Sequence, residues 1–286
     1  MIYFSADDYG ISENANSCIE NCLKNGILNK ISILPNGRVL DFKEQLSGRD
    51  AMLSLHINLV EGRSLSNPND VDLIVSKSGN FKYSFIGLLV LSLSPKRKKL
   101  EKQIYMEIQS QIRFWKKAMG EPLSVSVDSH QHTHMIPLVF RTLLHVIEDE
   151  GLNVEYMRIP AEPILPYIFA PSLYLKYRPV GLIKQWLLKI LAFINLKRFK
   201  KTKIQFAYFM GILFSGRLNG VTIKKLLPYY IRLAKKHNKD IEIGFHPGNI
   251  KENEKLIDGI REDFKKFYYS PWRNIEYDTL INFKFE

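Results

Sequence analysis

Residues 128–137 read DSHQHTHMIP, so three of the chain's seven histidines take alternate positions directly behind an aspartate. Imidazole and carboxylate together suit Zn²⁺ or a similar divalent ion, with a position left open for water in a catalytic site. If 128–134 stays extended, Asp128, His130, His132 and His134 share one side, because strand side chains repeat every two residues. Only some of them can then reach one ion. A strand end that bends into its loop would instead aim the first inward and leave the others at the rim or behind it. Taken alone, the run also reads as a polar surface loop. Three further stretches weigh against that reading: SADDYG sets Asp7 and Asp8 after an apolar run, LHINL carries His56, and GFHPG puts His246 before a Pro-Gly turn. An aspartate that does not bind the ion can act as base toward water. His145, in RTLLHVIEDE, and His237, in LAKKHNKD, read as ordinary helix and helix-end residues.

The elements that must position these groups follow from periodicity. Hydrophobic alternation predicts strands at 2–6, 52–57, 123–128, 155–159 and 241–245. Helices are expected from near Ser12 to Gly26, over 100–118 and over 221–236. Strands alternating with helices imply parallel pairing and an α/β fold. Parity then selects the architecture. Leu53, Leu55 and Ile57 oppose Ser54, His56 and Asn58; Val125 and Val127 oppose Ser126, Asp128 and His130; Ile241, Ile243 and Phe245 oppose Glu242, Gly244 and His246. Each strand has one apolar face and one small or polar face that runs out to a histidine. Strands of an open doubly wound sheet would be apolar on both faces. A closed, distorted TIM-like (β/α) barrel fits better, with its chemistry at the C-terminal strand ends.

The 286 residues are read as one large domain, 1–286. No export signal is expected at MIYFSADDYG, which lacks a basic leader and a long apolar core. The most apolar runs, 85–93 and 186–196, fall short of the roughly 20 residues that span a bilayer, so no transmembrane helix is expected. Cys18 and Cys22, four apart on the first helix, read as packing residues rather than a disulfide or zinc framework. Charge is unevenly placed. Between Glu162 and Asp240 lie sixteen of the 41 Lys and Arg but none of the 29 Asp and Glu, so the net +12 belongs to that segment.

SADDYG, LHINLVEG, DSHQHTHMIP, MRIP and IGFHPG, in this order, resemble the signature blocks of the YdjC-like family, whose chitooligosaccharide deacetylase members remove N-acetyl groups from sugars. The similarity covers about 2–160 and 205–280, including GILFSGRL and WRNIEYDTL. Singly each block is weak; as a set they are specific. The resemblance implies a distorted (β/α) barrel and one divalent ion, Mg or Zn, on Asp8, His56 and His130. It implies Asp7 as general base and His246 as the acid that protonates the departing amine. Arg158 would position substrate or orient the catalytic carboxylate, and Asn58 is expected at the substrate. Asp128, His132 and His134 are expected behind the ligands. Tyr9 and Thr133 stand where the family pattern has phenylalanine and valine, without loss of a functional group. The basic helical segment at about 163–204 is expected as an insertion.

The expected function is metal-dependent hydrolysis of the N-acetyl group of an acetamido sugar, free or carried on phosphate or lipid, in the cytoplasm or against the inner face of its membrane. A homodimer is left open, and no nucleic-acid motif is present. A two-metal phosphoesterase and a non-catalytic binder of anionic polymer or membrane are the alternatives. In GLIKQWLLKILAFINLKRFKK, Leu182, Ile183, Trp186, Leu187, Ile190, Leu191 and Ile194 recur at helical spacing. Such a face either packs on the barrel or rests on anionic lipid, with Lys184 and Lys189 off it and Lys197, Arg198, Lys200 and Lys201 just beyond.

Overall fold

The computed structural model describes residues 1–37, 51–120, 124–248, 250–251 and 253–285. The strands are β1 (Ile2–Tyr9), β2 (Lys30–Ile33), β3 (Met52–Ile57), β4 (Val125–Ser129), β5 (Val154–Met157), β6 (Tyr208–Met210) and β7 (Ile241–Phe245). All pair in parallel, in the order β5-β4-β3-β2-β1-β7-β6. The sheet curls, and its two ends meet. Gln205, just before β6, bridges to Tyr156 of β5: the Met157 amide donates to the Gln205 carbonyl at 2.9 Å, and the Gln205 amide to the Glu155 carbonyl at 2.7 Å. This is the geometry of a distorted barrel.

Outside the sheet lie α1 (Glu13–Asn25), α2 (Phe85–Ser92), α3 (Arg97–Met119), α4 (Pro137–Asp149), α5 (Pro179–Phe199), α6 (Gly220–His237), α7 (Glu262–Tyr268) and α8 (Trp272–Asn282). Ser12 caps α1 by accepting from the Ala15 amide at 3.1 Å. At its other end Gly26 is needed for close approach, since a Cβ there would lie 2.4 Å from the Leu280 carbonyl oxygen of α8. The outward residues Ile31, Leu55, Val127 and Ile243 form one core with Ile19 of α1, Ile104, Ile108 and Trp115 of α3, and Leu143 of α4. The alternate residues turn inward and are polar.

Helix α5 bears on two sequence expectations. Helix α5 runs for 21 residues and is long and apolar enough, by length and composition, to cross a membrane. The apolar runs look shorter in sequence because lysines interrupt them. Of the apolar face that hydrophobic spacing selects, Leu187 and Leu191 pack inward while Leu182, Ile183, Trp186, Ile190 and Ile194 are exposed. The buried residues of the helix are Gln185, Leu188, Leu191, Asn195 and Phe199. The Asn195 amide donates to the Met135 carbonyl at 2.8 Å, and Gln185 donates to the Glu162 carbonyl at 3.4 Å. Polar side chains that donate to backbone carbonyls can sit in a packed face, which a count of apolar residues misses.

Candidate active site

Every group singled out at a strand end lies at the C-terminal edge of the sheet. Asp7 and Asp8 end β1, His56 is near the end of β3, Asp128 is in β4, and His130, Arg158 and His246 directly follow β4, β5 and β7. In a regular strand Asp7 and Asp8 would face opposite ways. Asp8 instead has φ 69°, and the β1–β2 register shifts between Ala6 and Tyr9, so that both aspartates line one cavity. The cavity holds about 400 Å³ and is also lined by His56, His130, His132, Lys184, His246 and Tyr268.

At its floor, Asp8 Oδ1 lies 2.9 Å from His130 Nδ1 and 3.7 Å from His56 Nε2. Both Asp8 oxygens are buried, yet neither meets hydrogen-bond geometry with any described residue. Three convergent donors with an orphaned buried carboxylate fit a divalent cation. The far side of each imidazole is held by a carboxylate: His56 Nδ1 is 2.5 Å from Asp128 Oδ1, and His130 Nε2 is 2.8 Å from Glu61 Oε2. Such partners fix the ring and leave the opposite nitrogen for the ion. A second trio, Asp7, His56 and Asp128, is also close-set. Its donors are already used, because Asp128 holds His56 while Arg158 donates to Asp7 through Nη1 at 2.6 Å and Nη2 at 2.8 Å. The free set is Asp8, His56 and His130.

The polar interior sets the electrostatics. Burial alone would raise the Asp8 carboxyl, but His130 and His56 outweigh it and hold it well below the usual carboxylate range. Burial likewise opposes charge on His130, yet Asp8 and Glu61 bring it up to about 10. Beneath them Arg158 also grips Glu242, at 2.9 Å from Nε and 2.7 Å from Nη2, and Lys30 Nζ reaches the same oxygen at 2.9 Å. Against the cost of burial, Arg158 and Lys30 lower Glu242 to about 2. Arg158 itself is fully buried and does not line the cavity. It orients Asp7.

The histidine-rich run bends. β4 stops at Ser129, and 130–135 forms a 3₁₀ turn in which Gln131 and His132 take left-handed angles of φ 53° and 61°. His130 therefore points to Asp8 and His132 joins the cavity wall. His134 turns away: its Nε2 donates to the Arg158 carbonyl at 2.8 Å, Nδ1 meets the Ser129 hydroxyl, and burial lowers it to about 4. Asn58, expected at the substrate, lies under the site. Its Nδ2 donates to the Glu61 carbonyl at 2.8 Å and its Oδ1 accepts from the Val60 amide at 3.1 Å, which shapes the turn that delivers Glu61. His246 stands across the cavity, with Nε2 4.0 Å from Asp7 Oδ2 and Nδ1 3.7 Å from Glu276 Oε2. Glu276 also accepts from the backbone amides of His246 and Leu218, at 2.5 and 2.8 Å.

Four contributors escaped sequence reasoning: Glu61, Tyr268, Arg273 and Glu276. Tyr268 donates to Glu61. The Arg273 guanidinium lies 3.8 Å from Asp8 Oδ2 and over the rings of Phe267 and Tyr268. Glu61 stands inside LHINLVEG, and Arg273 and Glu276 inside WRNIEYDTL. The blocks held the signal; the individual roles needed coordinates.

A sequence profile described as "YdjC-like protein" matches residues 1–286. The chain belongs to the YdjC-like family. Two relatives named "Carbohydrate deacetylase" align with this YdjC-like chain. One, from Danio rerio, is 29% identical over 170 residues, covering 59% of the chain and 52% of the relative. The other, from Thermoanaerobacter pseudethanolicus, is 30% identical over 166 residues, covering 56% and 62%. The matched part thus spans about half to three fifths of each relative's length. A crystal structure from Enterococcus faecalis V583, of a protein named for cellobiose-phosphate cleavage, superposes with TM-score 0.69 over 98% of this chain and 90% of its own. At 17% identity it shares the fold of the YdjC-like chain and no more is drawn from it.

Proposed function

We propose that the protein is a metal-dependent carbohydrate N-deacetylase that hydrolyses the acetamido group of a sugar and releases acetate. The observation that carries this reading is the free Asp8–His56–His130 donor set opening into a cavity whose walls also hold Asp7 and His246. The names of the two relatives support it. One divalent ion, Mg or Zn, would be held by Asp8, His56 and His130, and it would supply electrophilic activation of the acetyl carbonyl and of water.

The chain's own residues handle the protons. Arg158 fixes Asp7 with its lone pairs engaged on one side and the cavity on the other, so that Asp7 takes the proton from the attacking water. His246, held by Glu276 through its backbone amide and with its ring facing that carboxylate, delivers a proton to the departing nitrogen. That step is needed because an amine anion is a very poor leaving group. Lys184 and His132 complete the wall against which the sugar lies. For the two-metal phosphoester alternative, the described residues offer a single unspent donor set.

Acetate release across N-acetylated saccharides, sugar phosphates and lipid-linked sugars, with and without added Mg²⁺ or Zn²⁺, tests the reading. Metal-stimulated release from at least one acetamido sugar is expected. Release of phosphate instead, or two ions per chain, would favour the alternative. His246→Ala should slow amide hydrolysis far more than hydrolysis of an activated ester, whose leaving group needs little protonation. Equal losses on both would remove His246 from the acid role.

A further inference from the structure

Helix α5 turns an apolar side outward. Val180 is 76% exposed, Ile183 68%, Trp186 58%, Ile190 53% and Phe193 78%. Helix α2 packs Phe85 and Leu89 into the same small cluster as Leu188 and Leu191 of α5, and it also exposes Ile86, Val90 and Leu93. An exposed apolar area of this extent marks a surface that meets a protein or a lipid. Charge decides between them. Residues 163–239 contain sixteen Lys and Arg and no Asp or Glu, and Lys197, Arg198, Lys200 and Lys201 gather where α5 ends. An outward apolar side with a wholly cationic flank complements anionic headgroups over acyl chains, and buried Trp, Ile and Phe side chains would hold it there.

The same helix builds the cavity. Val180, the start of the exposed side, lines it, and so do Arg178, Lys184 and Arg217. Among the described residues no carboxylate pairs with any of these three; Arg217 spends one donor on the Lys176 carbonyl at 2.7 Å. Three such cations beside an acetamido-sugar site suit a phosphate oxygen cluster. We propose that α5 and α2 dock on an anionic membrane surface, and that the cavity receives an acetamido sugar carried there by a lipid phosphate. Docking stands on the exposed face and its charge; the identity of the cargo rests on the deacetylase reading.

Vesicle sedimentation and activity separate the two. The full chain, loaded with metal, is spun with vesicles of phosphatidylcholine alone or mixed with phosphatidylglycerol, at low and high salt. Binding only to the anionic vesicles, weakened by salt and at least tenfold weaker in Phe193→Glu and Ile190→Glu, is expected. Both variants lie outside the cavity, so they should keep wild-type turnover of a free acetamido sugar phosphate and lose about tenfold on the same sugar phosphate anchored by lipid in vesicles. Wild-type Arg217 should favour phosphorylated over neutral acetamido sugar, and Arg217→Gln should erase that preference without changing vesicle binding. No sedimentation at low salt, or equal binding by the Glu variants, overturns the docking surface. So does retention in the bilayer after alkaline carbonate, which would make α5 a spanning helix, or a dimer that Phe193→Glu splits, which would make the face a contact between two copies. Acetate release from no saccharide, with sedimentation intact, would instead overturn the deacetylase reading alone.

Discussion

Asp8 occupies a left-handed backbone conformation that a non-glycine residue adopts at a cost of about 1 kcal/mol or more. What the strain achieves is visible in the site: consecutive aspartates share one cavity, one held by Arg158 and the other facing His130 and Arg273 with no hydrogen bond to its oxygens among the described residues. The sequence makes the pair legible as DD after a strand, but its parity places them on opposite faces, and only the bulge resolves this. Glu61 and Glu276 were illegible for another reason: each acts through a histidine far away in sequence, and no spacing rule joins residues 69 or 30 positions apart. Their roles are testable. His130→Ala should lose the ion while its far-UV spectrum stays native. Glu61→Gln should keep the fold and weaken the ion by roughly 10- to 100-fold, because the ring loses its orienting carboxylate. Metal titration by calorimetry checks both, and unchanged affinity in Glu61→Gln would sink the supporting role. Asp7→Asn should retain the ion, since Asp7 lies outside the donor set, while turnover falls by roughly 10² to 10⁴. A variant that loses metal in step with activity would make Asp7 a ligand instead.

At the scale of elements, the strands were readable where alternation is clean. β3 and β7 coincide with the expected 52–57 and 241–245. β2 and β6, four and three residues long, are too short to show alternation, and β2 reads KISI with a charged lysine side chain on the inner face. That lysine is fully buried, between Glu242 at 2.9 Å and Asp128 at 3.8 Å, with its ammonium 4.3 Å above the Tyr156 ring. A curled sheet with a polar inner face makes this tolerable, because register brings Lys30 beside Ser5 and His56 beside Asp128, so charges on neighbouring strands meet in layers. Glu242 keeps Arg158 when Lys30 is removed, but the buried carboxylates Glu242 and Asp128 then lose a cation, and unbalancing such a network costs about 3 kcal/mol. Lys30→Met is therefore expected to lower unfolding free energy by about that amount in urea. Adding Glu242→Gln should recover part of the loss, since the second charge then leaves with the first. Strictly additive losses would show that Lys30 acts by packing alone. Sequence left two places open for the apolar face of α5, on the barrel or outward, and could not choose because the packed side includes Gln185 and Asn195, whose amides donate to backbone carbonyls, so polarity there does not mean exposure.

Across the whole molecule the first strand and the last helix meet at the site. Helix α8 brings Arg273 to Asp8 of β1 and Glu276 to His246, and the α1 end packs on Leu280. The uneven charge was legible from sequence, whereas this closure of first and last elements around one centre was not, because it depends on contacts more than 200 residues apart. An ion held at Asp8 would through this closure be coupled to the stability of the fold, and His130 would make that coupling depend on pH. Without metal its folded value is about 10 against a reference of 6.5, raised by Asp8 and Glu61 over the opposing effect of burial. A group raised on folding contributes its full stabilisation below its unfolded value and loses it as pH climbs to its folded value. From this group, then, the metal-free chain should lose stability between pH 6.5 and about 10. Ion and proton compete for the same imidazole, so metal affinity should rise about tenfold per pH unit below that upper value. At saturating metal the stabilisation grows by about 1.4 kcal/mol for each unit. Urea unfolding in chelator and in excess Mg²⁺, at pH 6 and pH 8, should show the gap between the two widening by roughly 2 to 3 kcal/mol. A gap that is constant over this range would mean that His130 carries no proton for the ion to displace, and the donor set would have to be sought without it.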